Sequence, residues 1–230
     1  MTPVEQVAAA LRAGFEHDVV VVTGAEPLHP DAVAAVPAGA IVLAADGGLD
    51  HALAAGLRPA GVVGDLDSIT PAGLAWATEH ATISRHDPAK DATDTELALD
   101  MAVDLNPARL IMLAGGGDRL DHTLAALGAL GRPGLTSVPV LEAWWGAQRI
   151  RVLHGPARAE FAGLPAGSTL SLVAVGGPCE GVTSTGLRWP LTGATLEPLS
   201  GLGVSNEVTD GAVNVALAGG VLLVFAAGYD

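Results

Sequence analysis

Six short apolar runs, almost uninterrupted and separated by helix-length stretches, constrain the first two thirds of the chain more than any other feature. They are VVVVTG (19–24), AIVLAADGG (40–48), AGVVGD (60–65), ATISR (81–85), ARLIMLAGGG (108–117) and SVPVLEA (137–143). A strand exposed on one face alternates apolar and polar residues, whereas a continuous apolar run needs cover on both faces. The pattern therefore predicts a largely parallel sheet with helices on either side. Candidate helices fall at 3–13, 49–56, 71–80, 93–105 and 120–130. The one at 93 has the clearest start, because Thr93 and Glu96 form a capping box ahead of Leu97, Met101 and Leu105. Beyond about residue 145 short runs such as STLSLVAV, AVNVAL and GVLLVF alternate with Gly, Pro and Ser turns, predicting a small all-β domain. The expected domains are 1–145 and 146–230.

Composition narrows the function. With 25 acids against 11 bases, a net charge of −14, the surface repels nucleic acid and anionic lipid. Cys179 is the single cysteine, so no internal disulfide is possible. No apolar stretch approaches membrane-spanning length, and the first residues lack the pattern of a signal peptide, so a cytoplasmic location is expected. An acidic chain can still handle an anionic substrate if metal ions or placed bases offset the repulsion.

Several acids stand directly behind predicted strands: Asp46, then Asp65 and Asp67 in GDLDS. In an open parallel sheet the ligand crevice lies at the carboxyl ends of the strands, so these side chains converge there. Two carboxylates about 4 Å apart repel by about 4 kcal/mol at an effective dielectric near 20, which calls for a shared proton or a cation. Oxygen-only ligands favour Mg²⁺. The alternative is that each acid only forms a turn or caps a helix, which for Asp94, at the start of the helix at 93, is the better reading of the residue alone. The run LAGGGDRLDHTLAAL (113–127) places three glycines between a strand and a helix, where backbone N–H groups can approach an anion. It is neither a Walker A loop nor a dinucleotide fingerprint. Arg119 can pair with a phosphate or with a neighbouring acid, and His122 beside Asp121 is either an acid–base pair or a local cap.

In order, AADGG (44–48), GDLDSI (64–69), KDATDTELAL (90–99) and GGDRLDHTLA (116–125), with VTSTGLRWPL (182–191) and GVSNE (203–207), resemble the successive motifs of thiamine pyrophosphokinases. The resemblance spans about residues 40–225. It implies an N-terminal, mostly parallel, Rossmann-like α/β/α sheet that binds ATP, and a C-terminal β-sandwich that binds thiamine. It also implies a homodimer with active sites between subunits, and Mg²⁺-dependent transfer of pyrophosphate from ATP to the hydroxyl of thiamine. Carried over by position, Asp65, Asp67 and Asp94 are expected to bind magnesium, and Asp94 to accept the hydroxyl proton. Asp46, Gly47, Lys90, Gly116, Arg119, Asp121 and His122 would line the nucleotide site. Trp189, Ser205 and Asn206 would meet thiamine, with a core role in the β domain the alternative for Trp189. The chain departs from the family pattern at Asp118, where the second glycine of a Gly-Gly-Arg triplet is expected. The tryptophan pair of EAWWGAQ (142–148) is expected to serve domain or dimer packing.

Three rivals remain at this point. GDLDS also resembles the aspartyl nucleophile motif of haloacid-dehalogenase-like phosphatases, in which Asp65 would be phosphorylated. A related diphosphotransferase acting on a pterin alcohol would use similar parts. A nucleotide- or thiamine-binding sensor without turnover is the third, supported by Asp118.

Overall fold

The computed structural model describes residues 17–117, 119–209 and 211–226; the helix expected over 3–13 and the residue Asp118 lie outside them. The chain divides into two compact units, one running to residue 129 and including 133–147, the other comprising 130–132 and the chain from 148 onward.

The first unit is built on six parallel strands, β1 (Asp18–Val22), β2 (Ile41–Ala45), β3 (Gly61–Gly64), β4 (Thr82–Arg85), β5 (Arg109–Ala114) and β6 (Val140–Trp145). Their order is β4-β3-β2-β1-β5-β6, every pair parallel. The chain thus winds outward from β1 to β4, then returns to the other side of β1 for β5, which puts the topological switch point between β1 and β5. Val19 to Val22 are all wholly buried, as expected of a strand covered on both faces, and each such side chain contributes about 1.5–3 kcal/mol relative to exposure.

The described helices of this unit are α1 (Pro30–Ala34), α2 (Gly48–Ala54), α3 (Pro71–His80), α4 (Asp94–Asp104) and α5 (Leu120–Ala129). Helix α1 was not expected from the sequence. On one face Val20, Val22, Val42, Ile111 and Leu113 pack with Ala32 of α1 and Ala52 of α2. Farther along, Ala44 and Val62 pack with Leu49 of α2 and Ala77 of α3. Helix α4 lies across β1, β2 and β3 and buries Ala98, Leu99 and Ala102. Its start is the expected capping box: the Glu96 amide donates to the Thr93 hydroxyl at 3.2 Å, and the Thr93 amide donates to the Glu96 carboxylate at 2.8 Å. At the amino ends of β1 and β5, Arg109 donates two hydrogen bonds to Asp18, its direct partner in the parallel register.

The second unit is antiparallel: β7 (Gln148–His154), β8 (Ala157–Ala162), β9 (Thr169–Thr185), β10 (Ala194–Leu196), β11 (Asn206–Glu207), β12 (Ala212–Leu217) and β13 (Gly219–Ala226). Strand β13 pairs with β7 and with the first half of β9, while β12 pairs with β8 and with the end of β9. Among the described residues this unit has no α-helix beyond residue 148, as the turn-rich sequence predicts. Its core joins Leu153, Phe161, Leu170, Leu172, Val213, Leu222 and Val224. Cys179 is buried there, donates to the Val221 carbonyl, and burial pushes its thiol up to about 11. No described helix is long and apolar enough to cross a membrane.

Candidate active site

The carboxyl ends of β1, β2, β3, β5 and β6 open into one cavity of about 910 Å³. It lies at the switch point, where open parallel sheets bind their ligands. Thr23 and Gly24 follow β1, Asp46 and Gly47 follow β2, Asp65 follows β3, Gly116 and Gly117 follow β5, and Trp145 ends β6. Lys90 and Asp94 enter from the loop before α4 and from its first turn.

Three carboxylates meet here, and they are not the expected three. Asp46, Asp65 and Asp94 each offer an oxygen within 4.8 Å of the others, with Asp46 in the place expected for Asp67. The reason is local. Leu66 adopts a left-handed conformation (φ 71°), so the chain turns between the two acids of GDLDS. The Asp67 amide then donates to Asp65 Oδ1 at 3.2 Å, while the Asp67 carboxylate takes the Ser68 hydroxyl at 2.9 Å. Asp67 still lines the cavity, but at its exposed side. Asp46 is brought in by its own left-handed backbone (φ 44°), which Asp tolerates better than most residues. Gly64 makes the group possible, since a Cβ on it would lie 3.0 Å from Asp46 Cβ and 3.1 Å from Asp94 Oδ1.

The electrostatics follow from burial and neighbours. Asp46 is 9% exposed and its Oδ1 has no hydrogen-bond partner among the described residues. Burial raises its carboxyl above the ordinary range, Ser68 and the Gly47 amide pull it back, and the charges of Asp94 and Asp65 raise it further. Asp65 is shifted the other way, chiefly by the Asp67 amide, with Lys90 adding to the shift against desolvation. Lys90 Nζ stands 3.0 Å from Asp94 Oδ1 and 3.6 Å from Asp65 Oδ2. Burial opposes its charge, but Asp94 and then Asp65 outweigh that and hold the ammonium above its usual value.

The described glycines of the loop after β5 border the cavity. Gly116 (φ 110°) and Gly117 (φ 132°) adopt conformations that side chains disfavour, and a Cβ on Gly115 would run into the carbonyls of Glu26 and Pro27. Arg119 faces Asp121 as an exposed two-bonded pair, 3.2 Å from Nε and 2.6 Å from the second nitrogen, and this bond holds the Asp121 carboxyl at about 2. Both Asp121 oxygens bond Arg119, the neighbouring His122 also acts on the carboxyl through its amide, and His122 lines the cavity. The expected tryptophan pair also divides. Trp144 packs against the core cluster that includes Val20 and Leu113, whereas Trp145 lines the cavity, a position its place at the end of a strand next to β5 could have flagged. Thr23 and Gly24, after β1, were missed for want of any charged residue to mark them.

In the second unit Trp189 is 56% exposed, so it is not a core residue. The Arg188 guanidinium sits 5.1 Å from its ring centroid. Asn206 is buried, and its side chain is spent on backbone: it accepts from the Trp189 and Glu207 amides at 3.1 and 2.9 Å and donates to the Trp189 carbonyl at 2.7 Å. It thus fixes the Trp189 segment rather than presenting a free polar group. Ser205 is exposed with a left-handed backbone (φ 57°), its amide donating to the Ser171 hydroxyl.

Comparison with known proteins bears on both units. A family model described as "Thiamin pyrophosphokinase, catalytic domain" matches residues 36–140, and one described as "Thiamin pyrophosphokinase, vitamin B1 binding domain" matches residues 153–222. The chain is 26% identical over 212 residues to the thiamine pyrophosphokinase of Bacillus subtilis strain 168, covering 89% of this chain and 95% of that protein. The fold is similar to the crystal structure of thiamine pyrophosphokinase from Bacillus subtilis, with a TM-score of 0.78 at 23% identity, covering 92% of this chain and 99% of the other. It is also similar to thiamin pyrophosphokinase from Candida albicans, with a TM-score of 0.73 at 16% identity, over 99% of this chain and 92% of that one.

Proposed function

The chain belongs to the thiamine pyrophosphokinase family, and from that premise we propose that it moves the pyrophosphoryl group of ATP to the hydroxyl of thiamine, giving thiamine diphosphate and AMP. The hydroxyl oxygen bonds to the β-phosphorus. The bond from that phosphorus to the oxygen bridging the α-phosphate breaks, its electrons leaving with AMP, and the hydroxyl proton passes to a base. The observation that carries this reading is the meeting of Asp46, Asp65 and Asp94 with the Gly116–Gly117 loop in one cavity at the sheet's switch point.

The residues present fit Mg²⁺: the donors are all carboxylate oxygens, and Asp46 Oδ1 is buried with no hydrogen-bond partner among the described residues. Asp46, Asp65 and Asp94 would hold the ion, with Asp67 beside them at the exposed side. A divalent ion held by these residues would supply charge neutralisation for the pyrophosphoryl group. Asp94, in the first turn of α4, is our candidate to accept the hydroxyl proton. The Gly116 and Gly117 backbone receives phosphate, and Arg119 turns to it from Asp121, a pair so exposed that it is easily given up. Lys90, Gly47 and His122 complete the nucleotide side.

Thiamine, a flat cationic heterocycle, suits the exposed indole of Trp189, held by Asn206 and flanked by Ser205. We accordingly assign ATP to residues 1–145 and thiamine to 146–230, and read the second unit as a β-sandwich. Its long strand β9 pairs with β13 in one half and β12 in the other, with Leu170, Leu172 and Val182 in a shared core. A cytoplasmic homodimer with sites between subunits completes the proposal, on the family resemblance.

The test follows products from ATP and Mg²⁺ with and without thiamine, in the wild-type protein and in Asp65→Asn. Thiamine-dependent AMP formation that the variant loses is expected. Release of inorganic phosphate would instead support the phosphatase reading, and AMP formed without thiamine, or full activity in the variant, would overturn the proposal.

A further inference from the structure

Lys90 is the single lysine of the chain; every other Lys or Arg position is an arginine. This one ammonium is placed inside the acidic group, its side chain 16% exposed, 3.0 Å from Asp94 and 3.6 Å from Asp65. The same two carboxylates belong to the trio whose oxygens lie within 4.8 Å of one another. A divalent ion and the ammonium thus draw on the same two carboxylates. Mg²⁺ requires oxygen ligands at about 2.0–2.1 Å in near-octahedral array, and a positive charge within hydrogen-bonding reach of those oxygens opposes it. A lysine suits such a post, because its compact charge rides on a flexible stem, whereas an arginine fork would lock the carboxylates in a two-bonded pair.

We propose that Lys90 is the resident counter-ion of the cation site. It holds Asp65 and Asp94 together while no divalent ion is bound, and it must leave before one can bind. The inference rests on reading the acidic group as that site. Two consequences follow. Divalent affinity of the protein alone is kept low, and the displaced ammonium becomes free to meet the anionic polyphosphate, so metal and nucleotide bind more tightly together than apart.

The experiment measures Mn²⁺ binding to the full chain without nucleotide, by the electron paramagnetic resonance signal of free Mn²⁺. Lys90→Met is expected to bind at least about tenfold more tightly than wild type, and Lys90→Arg no more tightly. Asp94→Asn is the control for the site itself and is expected to weaken binding. Unchanged or weaker binding by Lys90→Met, with Asp94→Asn still weakening it, overturns the counter-ion inference and leaves the cation site standing. Binding unaffected by Asp94→Asn removes the site, and the inference with it. A second measurement needs no variant: apart from the α-amino group, reductive methylation can modify only Lys90. Addition of Mn²⁺ is expected to speed its modification several-fold, and an unchanged rate overturns the proposal even if Lys90→Met does not fold.

Discussion

Replacing Asp46 by Asn is expected to stabilise the metal-free protein while removing its activity. Asp46 is 9% exposed, and its carboxylate lies within 4.8 Å of that of Asp94. At that separation two such charges repel by about 3.5 kcal/mol at an effective dielectric near 20. Water at the open mouth of the cavity, together with Lys90, reduces the net penalty to about 1–2 kcal/mol. The asparagine keeps the shape and removes the charge, so the variant should melt about 2–8 °C above wild type in EDTA at neutral pH. The pH dependence has a definite sign. Burial first, then the charges of Asp94 and Asp65, hold the Asp46 carboxyl above its ordinary value, against Ser68 and the Gly47 amide. A carboxyl raised in this way binds more protons in the folded state than in the unfolded state. Stability therefore falls as pH rises from the ordinary aspartate value through the raised one, and the penalty is fully present above it. Thermal melts in EDTA between about pH 4 and pH 7 should show that fall in wild type and a shallower one in Asp46→Asn. Added Mg²⁺ should raise the wild-type melting temperature and leave the variant nearly unmoved. A variant that melts at or below wild type in EDTA would refute the placement of Asp46 in a repulsive acidic group.

Two further outcomes are expected. Gly64→Ala should cost about 2–4 kcal/mol, because its Cβ would meet Asp46 and Asp94 at 3.0 and 3.1 Å on a backbone with φ near 149°. Turnover should fall about a hundredfold as the carboxylates are pushed apart, and an unchanged melting temperature with full turnover would show that the group has room to spare. ATP should quench the intrinsic fluorescence of the protein through Trp145, which lines the cavity, so Trp145→Phe should lose most of that quenching; a variant that keeps it places the nucleotide elsewhere.

What the sequence discloses depends on how local the cause is. The inner parallel strands were legible because burial on both faces leaves a continuous apolar run, as in β2, and helix α4 because Thr93 and Glu96 cap it by contacts within four residues. Helix α1 was not, since five residues give barely one turn and show no periodicity, and its cap is His29 rather than one of the usual residues. Strand β9 was legible only in part. Gly176, Gly177 and Pro178 read as a break, yet pairing continues past them, with a shift in register and left-handed glycines at 176 and 181. The same limit governs the site. Nearness in sequence suggested that Asp65 and Asp67 act together, and they do touch, the Asp67 amide donating to Asp65; their relative placement is set by the left-handed turn at Leu66, a bulky residue nothing in the sequence marks for that conformation. Asp46 joins Asp65 and Asp94 from another strand, because β2 and β3 are neighbours and Gly64 leaves the space between them open. Acids were therefore readable as belonging to one edge of the sheet, while which three carboxylates approach within 4.8 Å of one another depended on backbone geometry that sequence spacing does not carry.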